Sequence, residues 1–141
     1  MKIAFRLPDG SVETMHAEPL LDGTFRLDNV PFHVRGISYD DEFTVVPTDG
    51  RLFYSEVARR GGHSTYRVRL PEGRPHSHFL ERWVPLEALG CTYEGSSLGG
   101  RRLYAVDVPP GADVHAIYAL LEEGEKEGHW GFEEGYYAGN S

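Results

Sequence analysis

The chain has 141 residues, 40% of them apolar, and its 14 Lys+Arg stand against 22 Asp+Glu for a net charge of −8. That balance excludes a membrane span, a basic protein that coats nucleic acid and a largely disordered chain. A single cysteine, Cys91, excludes an internal disulfide framework and a four-thiolate zinc site, and it fits a reducing compartment.

The first residues, Met1 to Arg6, are not followed by the apolar run of a secretion signal, so a cytoplasmic protein is expected. Glycine and proline (17 and 9) are spread as punctuation, which predicts short strands and tight turns. Lys2 to Leu7 reads as a strand ended by Pro8-Asp9-Gly10. Ser11 to Leu20 carries a loose alternation in Val12, Thr14, His16 and Glu18. A strand over Thr24 to Leu27 follows the turn Asp22-Gly23. Irregular chain spans Asp28 to Phe32, and Gly36 to Asp41 is a turn. Glu42 to Val46 is β-branched and ends at Pro47, and Asp49-Gly50 is a strong hairpin signal into Arg51 to Arg59.

After Gly61-Gly62 the pattern changes. His63 to Leu70 alternates, with Tyr66, Val68 and Leu70 on one face and His63, Thr65, Arg67 and Arg69 on the other. Ser77 to Leu89 has helical spacing in Phe79, Leu80, Trp83, Leu86 and Leu89, with Pro85 predicting a kink or two short helices and Gly90 a stop. Strands at Cys91 to Glu94 and Arg101 to Val108 are joined through Gly95 to Gly100. Asp113 is placed to cap a helix reaching about Glu127, with Val114, Ile117, Tyr118 and Leu121 inward and Gly128 as its stop. Trp130 to Tyr136 reads as a last strand.

The expected class is therefore α+β. A small β-barrel or curled antiparallel sheet occupies residues 1–60, and a ferredoxin-like βαββαβ half occupies residues 63–137, the two making one compact unit.

Motif by motif, the residues argue against common chemistries. His76-Ser77-His78 lacks a third ligand at metal-binding spacing. His63 and Ser64 point to opposite faces of a strand, so one would not activate the other. Cys91 reads as a small buried hydrophobe. Neither Gly61-Gly62 nor Gly99-Gly100 opens a helix as a phosphate loop does. Tyr104 shares the core parity of Val106 and Val108, and net −8 repels phosphates, so RNA binding is not expected. No cofactor, metal, nucleic acid or membrane is implied.

Charge is segregated. Residues 1–50 carry net −5, residues 51–102 net +4 and residues 113–141 net −6. Glu122, Glu123, Glu125 and Glu127 crowd the end of the last helix, either as a solvated face or as an acidic docking surface. His63, Arg67 and Arg69 line the face of the predicted central strand not claimed by helices. There they either pair with acids of the N-terminal half or form a cationic pocket between the halves.

Several segments, in order, resemble a family of small bacterial proteins known only as a domain of unknown function. They are Leu27 to Phe32, Gly36 to Tyr39, Gly62 to Val68, Leu89 to Glu94, Ala105 to Pro110 and Leu120 to Gly124. The similarity spans about Val12 to Tyr136, and Gly62-His63-Ser64-Thr65-Tyr66-Arg67-Val68 is its most specific part. The resemblance implies Gly-Asp before one strand, where this chain has Asp40-Asp41-Glu42, and it implies no activity.

Two functions follow as expectations. The first is a binding module that docks a protein partner through segregated charge, in an inhibitor or immunity-type role, using Glu122 and Glu123. The alternative is a small-molecule-binding domain or enzyme with an anion pocket between the halves, anchored by His63, Arg67, Arg69 and Tyr66.

Overall fold

Period-two alternation builds the first layer of the computed structural model, which describes residues 1–98 and 100–139. The strands are β1 (Lys2–Arg6), β2 (Val12–Pro19), β3 (Phe25–Leu27), β4 (Glu42–Thr48) and β5 (Arg51–Arg59). Ile3, Phe5, Met15, Ala17, Leu27 and Phe43 turn inward to a common apolar cluster. Sequential neighbours are antiparallel, and β5 then pairs in parallel with β1 at Ala4 and Phe53, so the sheet closes on itself. The β4–β5 hairpin turns through Asp49 (φ 49°) and Gly50 (φ 78°), the paired positive φ values of the turn that matches strand twist.

The second layer contains β6 (Ser64–Arg69), α1 (His76–Ala88), β7 (Thr92–Leu98), β8 (Arg101–Val108), α2 (Val114–Lys126) and β9 (Gly131–Tyr136). Its strand order is β7-β8-β6-β9, with every neighbouring pair antiparallel. The described residues thus form a mixed α+β fold of two helices and nine strands in two sheets.

One face of the second sheet meets both helices. Tyr66, Val68, Leu70, Tyr104, Val106 and Val108 pack there against Phe79, Trp83 and Leu86 of α1 and Ile117 and Leu121 of α2. The Phe79 and Tyr104 rings stack with centroids 3.6 Å apart. Each such large side chain contributes about 1.5–3 kcal/mol on burial, which makes this cluster the main stabilising mass of the second layer. Asp113 caps α2 by accepting from the Ala116 amide at 3.1 Å. Tyr118, expected inward, is 41% exposed, because its ring packs at the margin against Phe132.

Three expectations need correction. Of the kink or two short helices expected at Pro85, the second does not hold: α1 is continuous, since only one backbone donor is lost and Phe79, Trp83 and Leu86 anchor both sides of it. β4 runs through Pro47, where its only pairing is with β5, so the missing amide costs no second ladder. β7 extends past Glu94 to Leu98, with Gly95 lying 3.5 Å from the Tyr104 ring where a Cβ would stand. Gly99, part of the expected link to β8, lies outside the described residues.

Gly124, on the inner side of α2, faces Trp130, whose indole Nε1 donates to the Leu121 carbonyl at 2.9 Å. A Cβ at 124 would stand 2.5 Å from that ring. Helix propensity favours alanine by about 1 kcal/mol, but overpacking a fixed ring costs about 1–3 kcal/mol. Gly124→Ala is therefore expected to lower the unfolding free energy in urea titration, and a stabilised variant would show that the indole yields freely.

Candidate functional site

The helix-free face of the second sheet is met by the segment between β3 and β4. Glu13, on the inward parity of β2, accepts from the amides of Phe32 (2.8 Å), His33 (3.2 Å) and Val34 (2.9 Å). From the other side Arg67 of β6 donates Nη2 to the His33 carbonyl and Nη1 to the Val34 carbonyl, both at 2.9 Å. Its Nε donates to Glu133 of β9 at 3.3 Å. Arg67 is 1% exposed. Burial lowers the pKa of its guanidinium, while Glu133 and Glu13 act in the opposite direction. One three-residue stretch of backbone is thus clasped between a carboxylate of the first layer and a guanidinium of the second.

The same segment is pinned again near its end. Buried Asp41 accepts from the amides of Ser38 (2.9 Å) and Gly61 (2.8 Å) and from Arg60 Nη1 (3.1 Å). The Ser38 and Thr65 hydroxyls are 2.6 Å apart. Asp40 holds φ 71°, the left-handed conformation that glycine adopts freely and aspartate tolerates.

His63 lies beside β8, its Nδ1 at 2.9 and 3.0 Å from the two carboxylate oxygens of Asp107, with the Tyr39 ring 5.1 Å away edge-on. Burial pushes the Asp107 carboxyl above its ordinary value and the imidazole works against that shift. Ser64 faces elsewhere and accepts from the Ala138 amide at 2.9 Å, so this His–Asp pair has no hydroxyl nucleophile from its neighbour. Tyr66 belongs to the opposite, helix-covered face, with its hydroxyl donating to Glu134 at 3.3 Å. Burial, then Glu134, raises its phenol pKa. The expected anchors therefore divide: Arg67 and Arg69 share a face, His63 sits at its margin, and Tyr66 is on the other side of the sheet.

Arg69 is exposed at the end of β6. It lies in a groove made of two adjoining depressions of about 170 and 240 Å³ that share Arg69, Leu103 and Glu133. Arg101 and His33 complete the second depression.

A separate groove of about 250 Å³ runs between α1 and α2, floored by Pro85, Leu120 and Trp130 and rimmed by Glu81, Glu123 and Glu127. Glu81 is 3.4 Å from Arg82 and Glu127 is 3.1 Å from His129, whereas Glu123 makes no ion pair among the described residues. Glu122 points along the helix to Lys126 at 3.6 Å. Sequence reasoning isolated Glu122 and Glu123 but missed Glu81 and Trp130, which come from other elements and meet α2 only in the fold.

Residues 13–132 match the family described as a domain of unknown function, DUF4265. The chain belongs to that family. No curated protein matches the DUF4265 chain in sequence. Its fold is similar to that of a hypothetical protein from Neisseria gonorrhoeae known from a crystal structure. The TM-score is 0.74 over 95% of this chain and 91% of the other, at 16% identity. At that identity the likeness shows the fold alone.

His76 and His78 diverge: His76 Nδ1 is hydrogen-bonded to the Tyr104 hydroxyl at 2.8 Å, and His78 Nε2 donates to the His129 carbonyl at 2.9 Å. Among the described residues no group of three His, Cys, Asp or Glu side chains is placed to hold a metal ion. No helix among them is long and apolar enough to cross a membrane.

Two outcomes follow. Arg67→Met is expected to cost about 3 kcal/mol in denaturant unfolding, because two carbonyls lose their donors and Glu133 loses one of its two cations; a loss within experimental error would remove the clasp from the stability argument. Cys91 is buried, and desolvation pushes its thiol up to about 12 from 9.0. A raised thiol pKa means the folded state holds its proton longer than the unfolded state. The resulting stability is complete below pH 9 and is lost towards pH 12. The stability difference between the wild type and Cys91→Ala should change in the wild type's disfavour as pH climbs through that window. A difference that ignores pH would place the thiol in water.

Proposed function

We propose that this DUF4265 protein is a binding module that docks a basic segment of a partner protein in the groove between α1 and α2. The observation that carries the reading is Glu123, a carboxylate with no ion pair among the described residues, beside an apolar floor of Pro85, Leu120 and Trp130. A lysine or arginine side chain matches that combination, since its aliphatic stem covers apolar surface while its cationic head reaches a carboxylate. Glu81 and Glu127 on the same rim each have one neighbour, Arg82 at 3.4 Å and the His129 imidazole at 3.1 Å. The net −6 over residues 113–141 adds a field that speeds encounter with a basic partner. An inhibitor or immunity-type role is consistent with such a surface.

The architecture is read in the same terms. The order β7-β8-β6-β9 with both helices on one face supports a ferredoxin-like assignment for residues 63–137. The return of β5 to β1 supports a small barrel for residues 1–60, and the Glu13–Arg67 clasp supports treating the two as one compact unit. The free thiol of Cys91 supports a cytoplasmic setting.

The test is affinity capture with the wild type and with the double variant Glu123→Lys, Glu127→Lys as bait, at low and at high salt. A basic partner should be retained by the wild type at low salt, released by high salt, and bound at least about tenfold more weakly by the reversed bait. A partner held equally by both baits, or indifferent to salt, overturns the reading.

A further inference from the structure

We propose that the groove at the open end of the β9-β6-β8 face binds the carboxylate of a small organic acid between Arg69 and Arg101. Three strands build it in register: Gly131 of β9 lies opposite Arg69 of β6, and Arg69 lies opposite Leu103 of β8. Arg101, two residues from Leu103, lies on the same face and diagonal to Arg69, a spacing that long side chains span. Gly131 leaves the guanidinium open, since even a Cβ there would begin 3.7 Å from Arg69 Nη2.

The cations here are uncommitted and the anions are not. Neither Arg69 nor Arg101 forms an ion pair among the described residues. Glu133, the carboxylate shared by both depressions, is already held by Arg67 Nε at 3.3 Å and Arg35 Nη2 at 2.8 Å. Glu125, at the far rim, accepts from the Phe132 amide at 3.1 Å. Arg67, though it lines the floor, spends both terminal nitrogens on carbonyls and serves to position the wall rather than to bind. Arg35, Arg67, Arg69 and Arg101 against Glu13, Glu125 and Glu133, all three already hydrogen-bonded, leave this corner positive within a protein of net −8.

The walls select the rest of the ligand. Phe32 flanks the Arg101 side and Leu103 forms the floor, while Gly131 and the backbone of Phe132 leave the other side low; the Phe132 ring itself packs on the helix-covered face. A fork-shaped guanidinium matches a planar carboxylate in bidentate fashion, and apolar walls favour an acid with an aromatic or aliphatic body over a bare inorganic anion.

Benzoate is the probe, titrated by calorimetry and by the side-chain Nε–H signals of the arginines, with inorganic phosphate as the competing arm. Benzoate is expected to bind with a Kd on the order of 1 mM or tighter and to shift the Arg69 and Arg101 signals. Arg69→Gln and Arg101→Gln should each weaken it about tenfold. Both residues are exposed and form no ion pair among the described residues, so the thermal midpoint of each variant should match the wild type and exclude misfolding as the cause. Arg74→Gln, outside the groove, should change nothing, and Glu123→Lys should leave benzoate binding intact whatever it does to partner docking. No response to benzoate, or a response that survives Arg69→Gln, overturns the site. Phosphate binding as tightly as benzoate overturns the organic-acid assignment.

Discussion

The junction between the two layers centres on how the backbone at Phe32, His33 and Val34 is held. Its amides belong to Glu13 and two of its carbonyls to Arg67. Desolvating a guanidinium costs several kcal/mol. That cost is offset only because the Arg67 head finds two carbonyls and a carboxylate in place of water. The two groups share one peptide unit, whose His33 carbonyl accepts from Arg67 and whose Val34 amide donates to Glu13, so both charges polarise that amide in a common direction. Charge-assisted hydrogen bonds of this kind are about twice as strong as neutral ones. Both ends being main chain, the clasp does not depend on which side chains occupy 32–34, and Phe32 and His33 are left free to face a groove.

The clasp also decides which charges remain available. Gly135 lies so close to Arg67 that a Cβ there would collide with Nη1, so the guanidinium is fixed in the slot where its nitrogens are consumed. Glu133 is drawn to Arg67 and Arg35 and so cannot neutralise Arg69 next along the strand. Arg60 is likewise committed, donating to Asp41 and to the Gly36 carbonyl with its head 4.0 Å above the Tyr136 ring. On the opposite side of the molecule the pairing is looser, and acids outnumber the cations that reach them. The two grooves thus differ in polarity because structural ion pairs take up Glu133 at the layer junction and leave Arg69 beside it, whereas Glu123 on α2 has no ion pair among the described residues.

Local signals in the sequence were sufficient for elements whose formation is itself local. The alternation from Ser64 to Leu70, the Asp113 cap, the Asp49-Gly50 turn and the stops at Gly90 and Gly128 all report conformations set within a few residues. Long-range outcomes were harder to read. Arg67 and Arg69 look alike in a strand pattern, yet one is 1% exposed and the other is at the surface, because the clasping segment ends between them. Glu13 passed unnoticed although it shares the inward parity of Met15 and Ala17, where a charge demands a partner. Taken locally, Pro85 predicts a kink or two short helices and Pro47 a strand end. Tertiary packing in the first case and a single-sided ladder in the second outweighed their local cost.

The means of fixing the segment bears on how either groove works. Between Asp28 and Asp41 the chain has no regular structure, and such a stretch would ordinarily pay heavily in entropy to form one wall of a ligand site. Here it is tied at its middle by Glu13 and Arg67 and at its end by Asp41, whose carboxylate gathers the Ser38 and Gly61 amides. Gly61 accommodates this approach only as glycine, since a Cβ would lie 2.7 Å from the Asp40 carbonyl oxygen. With the ordering cost met during folding, Phe32 and His33 stand in place before any ligand arrives. A shallow groove with two guanidiniums has little contact energy to spare, so the proposed acid site would draw on a wall that folding has already set.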